Sequence, residues 1–352
     1  MWQGIHGHDD VTDRFRQSLA HNRLASSYLF LGPAGIGKRT FALQLAKALL
    51  CQEQRAEVLA PCDDCESCRL FTAGNHPDLD VIGLPAGKNR LPLELFLGDR
   101  DHRNQVGLCH NVALRPKLGR RRVAIIDDAD HLTTESSNCL LKTLEEPPAG
   151  ALLILVGTSR SRQLPTILSR TQVVRFKPLE IHVMRDLLIR NEIVVEPDRA
   201  DRLAEKSGGS LQRAAELADP ELWDMQQQLL PQLNPDKFES HRLVAGLMEF
   251  VNQAGKEANS RRQRLRLVLQ LAGDHFRQIM HLGCGAAARV AATDSPLPQP
   301  DLFNPETALA ALDRCLEAEI ELDRNANQAT LLECWLDDLA VLFARTESPA
   351  AT

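Results

Sequence analysis

The chain has 352 residues, 43% of them hydrophobic and 25% charged, with a formal net charge of −6. That length gives room for two or three domains with a core each, and the balance excludes a disordered chain or one that grips nucleic acid over a wholly basic surface. No apolar run is long enough to span a membrane, and Met1-Trp-Gln-Gly-Ile-His6 lacks the charged and apolar regions of a signal peptide, so a cytoplasmic protein is expected.

The first expected strand, 28–31, runs into Gly32-Pro33-Ala-Gly35-Ile36-Gly37-Lys38-Arg39-Thr40, and Phe41, Leu45 and Leu49 then recur at helical spacing. Strand, glycine-rich turn and helix is the context in which Gly-x4-Gly-Lys cradles phosphates. Backbone N–H groups turn inward, the helix N-terminus adds its dipole, and the lysine reaches the terminal phosphates. The next position should carry the Ser or Thr hydroxyl that holds Mg²⁺, and here it is Arg39. Thr40 is no substitute, because one helical residue turns its side chain by about 100°. The loop is built for ATP or ADP and poorly equipped for hydrolysis.

Nine cysteines follow no disulfide framework: Cys51, Cys62, Cys65 and Cys68 cluster, while Cys109, Cys139, Cys284, Cys315 and Cys334 stand apart, as small core residues would. Two consecutive Cys-x2-Cys steps plus one thiol a loop away suit a closed, structural Zn²⁺ shell with no open coordination position. An iron–sulfur cluster is the rival, though no Cys-Pro follows Cys68; four unliganded thiols are the bland alternative.

Further short aliphatic runs at 79–82, 123–127, 152–156 and 173–176 alternate with helical stretches or long loops. This pattern predicts a doubly wound α/β domain with a parallel sheet. At the end of the 123–127 strand stand Asp127 and Asp128, where a P-loop protein holds its Mg²⁺ and polarises water; they could also simply end a strand. Asp128 is one methylene shorter than a glutamate. The run Arg120-Arg121-Arg122 reads as a solvated loop.

Pro178 ends the α/β domain at 1–178. Three short helical runs follow from 179 to about 222, the third capped by Ser210 after Gly208-Gly209, and together they form a small domain at 179–230. A proline-punctuated stretch at 229–236 opens an all-helical domain at 231–345, interrupted by a proline-rich loop at 295–300 and followed by a frayed tail at 346–352. Leu265, Val268, Leu269 and Phe276 mark its core face.

Several segments together resemble the AAA+ clamp-loader subunits of bacterial DNA polymerase III, with the delta prime branch nearest in pattern. Asn138-Cys-Leu-Leu-Lys142-Thr-Leu-Glu145-Glu-Pro147-Pro148 is very close to that family's helix after the second acidic strand. Leu164-Pro-Thr-Ile-Leu-Ser169-Arg170-Thr171 is similar to its Ser-Arg-Cys motif, with Thr171 in place of Cys. Ile5-x-Gly7-His8 resembles its adenine-pocket segment, the four cysteines its zinc knuckle, and Leu322-Asp-Arg324-Asn325-x-Asn327 its collar.

The resemblance implies an AAA+ module, a helical lid and a helical collar. It also implies a hetero-pentameric ring with tau/gamma and delta subunits that loads a sliding clamp on primed DNA. It places Thr158 at sensor 1 and Arg170 as an arginine finger acting on ATP bound by a neighbour. It also makes the chain a component of a DNA-directed DNA polymerase holoenzyme. Arg39, Asp128 for the usual Glu, and Gln212 (beside Arg213) where sensor 2 carries an arginine all depart toward a weak or absent ATPase. An active tau/gamma-type ATPase is the alternative, against which the absence of a long extension past Ala344 counts; a P-loop kinase with a zinc knuckle is a third reading, and no acceptor-binding signature supports it.

Overall fold

Parallel strands buried on both faces need apolar side chains pointing both ways, and the strands of this chain supply them. The computed structural model describes residues 2–53, 58–85, 87–119, 121–255, 257–284 and 304–344. Arg120, the proline-rich loop at 295–300 and the tail at 346–352 lie outside the described residues. The chain divides into two compact units, Met1–Ala215 and Glu216–Thr352.

In the first unit, α1 (Asp9–Ala20) precedes β1 (Ser27–Leu31), α2 (Lys38–Leu50), α3 (Glu66–Thr72) and β2 (Leu79–Ile82). Then come α4 (Glu94–Leu97), α5 (Leu108–Ala113), β3 (Arg122–Ile126), α6 (Thr134–Glu145), β4 (Ala151–Gly157), α7 (Pro165–Leu168) and β5 (Gln172–Arg175). Each strand begins and ends within one residue of its expected span. The sheet order is β2-β3-β4-β1-β5 and each pairing is parallel, in registers such as Leu29↔Leu155 and Ile125↔Ile154.

Alternation then sorts the side chains into two layers. Tyr28, Phe30, Val123, Ile125, Leu152, Ile154 and Val156 face Phe15 of α1 and Phe41 and Leu45 of α2. Leu29, Leu31, Ala124, Ile126, Leu153 and Leu155 face Phe96 of α4, Val112 of α5 and Leu140 of α6. The result is a three-layer α/β/α unit. The first face is unusually aromatic for a chain with one Tyr and eleven Phe: the Phe30, Phe41 and Phe176 rings meet with centroids 5.0–5.9 Å apart.

Helices α8 (Ile181–Arg190), α9 (Pro197–Lys206) and α10 (Leu211–Leu217) match the three expected runs. Ser210 Oγ accepts the Arg213 N–H at 3.2 Å, the cap expected there. In the second unit, α11 (Pro220–Leu229), α12 (Ser240–Gln253), α13 (Ala258–Gly283), α14 (Pro305–Asp323) and α15 (Gln328–Ala344) share one core, in which Leu265, Val268, Leu269 and Phe276 are buried as expected. Between α14 and α15, Asn325 takes a left-handed φ of 66° and Asn327 Oδ1 accepts the Ala329 and Thr330 N–H groups, so this Asn-x-Asn is a helix break and a cap.

Two expectations fail. Arg122 is buried rather than solvated, because Asp80 and Asp78 draw it in: Nη atoms lie 3.4 Å from Asp80 Oδ2 and 3.8 Å from Asp78 Oδ1. Of the isolated cysteines, Cys315 is buried and Cys109 and Cys139 partly so. Cys284 and Cys334 are exposed, Cys334 because Leu331, Leu332 and Trp335 claim the inward face of α15.

Candidate nucleotide site and cysteine centre

Strands β1, β3 and β4 deliver the Gly32–Lys38 loop, Asp127 and Thr158 to the same carboxyl edge of the sheet, the edge where open α/β sheets bind ligands. Within the loop Ile36 is buried, anchoring it to the core, while Pro33 is exposed. Gly35 has a φ of 71°, and a Cβ there would lie 2.4 Å from Ser210 Oγ and 2.5 Å from Gln212 Cβ. Its carbonyl accepts the Leu211 N–H at 3.0 Å. The start of α10 is thus seated on the phosphate loop, through a contact only glycine permits.

Lys38 opens α2 and turns back into the loop, its Nζ donating to the carbonyls of Gly32 and Pro33 at 2.7 and 2.5 Å. Burial lowers its pKa to about 8, against the pull of Asp130, Asp127 and Asp128. Arg39 is more than half exposed, and its Nε lies 3.3 Å from Asp127 Oδ2. Thr40 is exposed on the next helical position. Burial, then Asp128, raises the Asp127 pKa, and Arg39 counters them.

Asp128 adopts a left-handed φ of 55°, gives its N–H to Asp127 Oδ1 at 3.1 Å, and accepts the Leu84 N–H on Oδ2 at 3.1 Å. Its carboxylate is therefore tied to the segment after β2. The residues present do not fit Mg²⁺ as a P-loop holds it: the hydroxyl ligand is replaced by a cation, and that cation is paired with the strand-end carboxylate.

Thr158 follows β4, and both its N–H and its hydroxyl donate to Asp130, the hydroxyl at 2.5 Å. Gln163 also donates to Asp130 through its amide. Asp130 and Gln163 were not expected as site residues. Asp130 was visible only as a third acid after β3, and Gln163 gave no signal, since its partner lies 33 positions away across the sheet edge.

The N-terminal segment packs against the core and the phosphate loop. Ile5 is buried, and His8 donates from Nε2 to the Ile36 carbonyl at 2.8 Å. Gly7, at a φ of 75°, faces Leu179. Arg170 stands apart: its guanidinium contacts Glu145, Thr166 and Ser169, none of them in the phosphate loop.

The four clustered cysteines also meet. Their sulfurs all lie within 4.8 Å of one another, with Cys51–Cys62 at 3.6 Å and both Cys51–Cys65 and Cys62–Cys68 at 4.0 Å. A tetrahedron with arms of about 2.3 Å has edges of about 3.8 Å, so the shell has the size of one zinc ion. Main-chain N–H groups of Cys62, Cys65 and Cys68 point at Cys51, Cys62 and Cys65 Sγ respectively. Burial opposes ionisation of Cys65, but hydrogen bonds from Gln52 and Cys68 bring its pKa down to about 6. The donor set is compatible with zinc.

A five-stranded parallel sheet, a Gly-x4-Gly-Lys loop after β1, acids after β3 and a polar residue after β4 define an α/β unit of the P-loop class. Residues 7–180 match the family described as DNA polymerase III, delta subunit. Bacillus subtilis DNA polymerase III subunit delta' is 35% identical over 190 residues, 53% of this chain and 52% of that protein. Salmonella typhimurium subunit tau is 34% identical over 217 residues, 60% of this chain and 32% of that protein. A gamma-subunit-related protein of Thermotoga maritima superposes with a TM-score of 0.42 at 16% identity, covering 94% of this chain and 99% of that one. Over these segments the chain is similar to DNA polymerase III subunits of the delta, delta' and tau kinds. Its matched segments span about half the length of the delta' relative and a third of the tau relative. Among the described residues, no helix is long and apolar enough to cross a membrane.

Proposed function

We propose that this chain is a delta prime-type subunit of a cytoplasmic clamp loader. In this reading it is a stationary AAA+ subunit that hydrolyses ATP weakly or not at all and lends Arg170 to the nucleotide site of a neighbour. The ring contains tau/gamma and delta subunits and places a sliding clamp on primed DNA. The chain contributes an AAA+ module at 1–178, a lid at 179–230 and a collar at 231–345, and the cysteine shell holds a structural Zn²⁺ that takes no part in chemistry.

The observation that carries the reading is the Arg39–Asp127 pair. A P-loop engine needs a hydroxyl and a carboxylate converging on Mg²⁺; here a guanidinium takes the first position and neutralises the second. Asp128, held by Leu84 N–H and shorter than glutamate, is ill placed to polarise a water. Thr158 and Asp130 hold the end of β4 in place, and Lys38 and the loop amides retain the means to bind phosphate. Arg170 needs no metal of its own: a guanidinium supplied in trans stabilises charge developing on the transferred phosphoryl group.

Two measurements test this. The isolated chain should show no ATPase above background, whereas brisk magnesium-dependent turnover would favour a tau/gamma-type motor. In the reconstituted complex, Arg170→Ala should lower DNA-stimulated ATPase by about 10²-fold or more while the ring still assembles; unchanged turnover refutes the role.

A further inference from the structure

The Mg²⁺ misfit has a second side, which rests on the nucleotide-site reading above: it changes what the pocket can bind, and not only whether it can hydrolyse. We infer that this site binds the phosphates of a nucleoside di- or triphosphate without a divalent cation, the Arg39 guanidinium serving as the built-in counter-charge.

The acids at the sheet edge are already engaged. Asp127 Oδ2 faces Arg39 Nε at 3.3 Å, and Oδ1 accepts the Asp128 N–H at 3.1 Å. Asp128 Oδ2 accepts the Leu84 N–H, and Asp130 accepts from Thr158 and Gln163. A divalent ion bound to Asp127 would have to displace Arg39 or sit against its positive charge, and no hydroxyl at position 39 would repay it.

The phosphate-binding parts need no such rearrangement. Lys38 Nζ rests on two loop carbonyls, Gly32 and Pro33, which it can exchange for phosphate oxygens. A guanidinium carries five N–H donors in a planar fork, and Arg39 approaches Asp127 most closely through Nε, so an outer Nη edge can be offered to a phosphate. Its side chain is 60% exposed and can follow the ligand. Lys38 and Arg39 together supply two positive charges beside the loop amides, against the two to three negative charges of a diphosphate. Arg39 thus becomes a specificity-determining residue, selecting the metal-free nucleotide over its Mg²⁺ complex.

The test is calorimetric titration of the full-length chain with ADP and with ATP, in buffer containing MgCl₂ or excess EDTA. Wild type should bind with dissociation constants that differ by less than about threefold between the two buffers, and free Mg²⁺ should not tighten binding. Arg39→Ser restores the hydroxyl and should bind at least about tenfold more tightly with Mg²⁺ than with EDTA. Arg39→Lys keeps a charge and should stay metal-independent. Thermal unfolding of each variant excludes misfolding as the cause.

A wild-type affinity that collapses at least about tenfold in EDTA overturns the inference, and so does Arg39→Ser that remains indifferent to Mg²⁺. No binding of either nucleotide in either buffer overturns it as well, yet leaves the trans role of Arg170 standing. Conversely, an Arg170→Ala complex with undiminished ATPase removes that role without touching metal-free binding.

Discussion

Arg170 grips Glu145: its Nε and one Nη both donate to Glu145 Oε1, at 2.8 and 2.5 Å, joining the turn after α7 to the last residue of α6. Half-exposed ion pairs of this kind contribute only about 0–1 kcal/mol, so Glu145 is a resting place for the guanidinium more than a structural tie. The Glu145→Gln variant should therefore unfold in urea within about 1 kcal/mol of wild type. In the reconstituted complex its DNA-stimulated ATPase should be at or above the wild-type level, opposite to Arg170→Ala. A loss as deep as that of Arg170→Ala would mean that Glu145 is needed to aim the finger.

The cysteine shell predicts one zinc per chain and a strictly local effect of losing it. Cys65 both faces the other sulfurs and caps α3 by accepting the Cys68 N–H. Cys65→Ser removes a ligand with low thiol pKa, and chelation removes the rest of the shell's purpose. The metal content should fall from about one equivalent toward zero, and proteases should cut between residues 58 and 72. Nucleotide affinity should not change, because Lys38 and the loop draw on no residue of the knuckle. Wild-type protein purified under reducing conditions with clearly less than one metal per chain sinks the zinc reading.

What was legible in the sequence is what is local. The strands showed themselves because a strand buried on both faces must be apolar at every position, as Ser27–Leu31 and Ala151–Gly157 nearly are. The phosphate loop and the cysteine knuckle are each one short segment whose spacing carries its geometry. The partners of Asp130 lie 28 and 33 residues away and meet it only once β3 and β4 are paired. Arg122 looked like one more arginine of a solvated run because its burial depends on acids about forty positions earlier, brought alongside by the β2–β3 register. Likewise the Arg39–Asp127 contact follows from the fold: the sequence showed that the hydroxyl was missing, and only the packed edge shows which carboxylate the guanidinium takes.

Asp78 is the residue whose structural weight the sequence hid most completely. It is wholly buried and accepts the main-chain N–H groups of Lys117, Leu118 and Gly119, at 2.6, 2.8 and 3.2 Å, with Arg122 beside it. Burial alone would raise its pKa, but those N–H donors and His76 hold it below the ordinary 3.8. Asp78→Ala leaves three amides without their acceptor and the Arg122 guanidinium with Asp80 as its one remaining acidic neighbour, and should cost about 3–5 kcal/mol in urea unfolding. Asp78→Asn, which keeps an acceptor, should cost less. A folded-state pKa below the unfolded one means the stabilisation is complete above pH 3.8 and disappears as pH falls through the lower value. A change below about 1 kcal/mol for Asp78→Ala would show that water replaces the carboxylate at no cost.

The second unit carries the opposite kind of titration at His275. The imidazole lies on α13, is 8% exposed, and packs edge-on to Phe276 with ring centroids 5.7 Å apart. Burial lowers its pKa from 6.5 to about 4. The folded form therefore binds fewer protons than the unfolded chain between those values, so stability is full above pH 6.5 and falls as the solution is acidified toward pH 4. The loss by the end of that window should be about 3 kcal/mol. Two of the three tryptophans, Trp223 and Trp335, lie in the second unit and report its unfolding by fluorescence. His275→Leu, close in volume and without a titrating group, should flatten the dependence in this window while leaving the urea midpoint near neutral pH within about 1.5 kcal/mol of wild type. An unaltered acid slope in that variant would assign the pH sensitivity of the second unit to its carboxylates and leave His275 as a passive core residue.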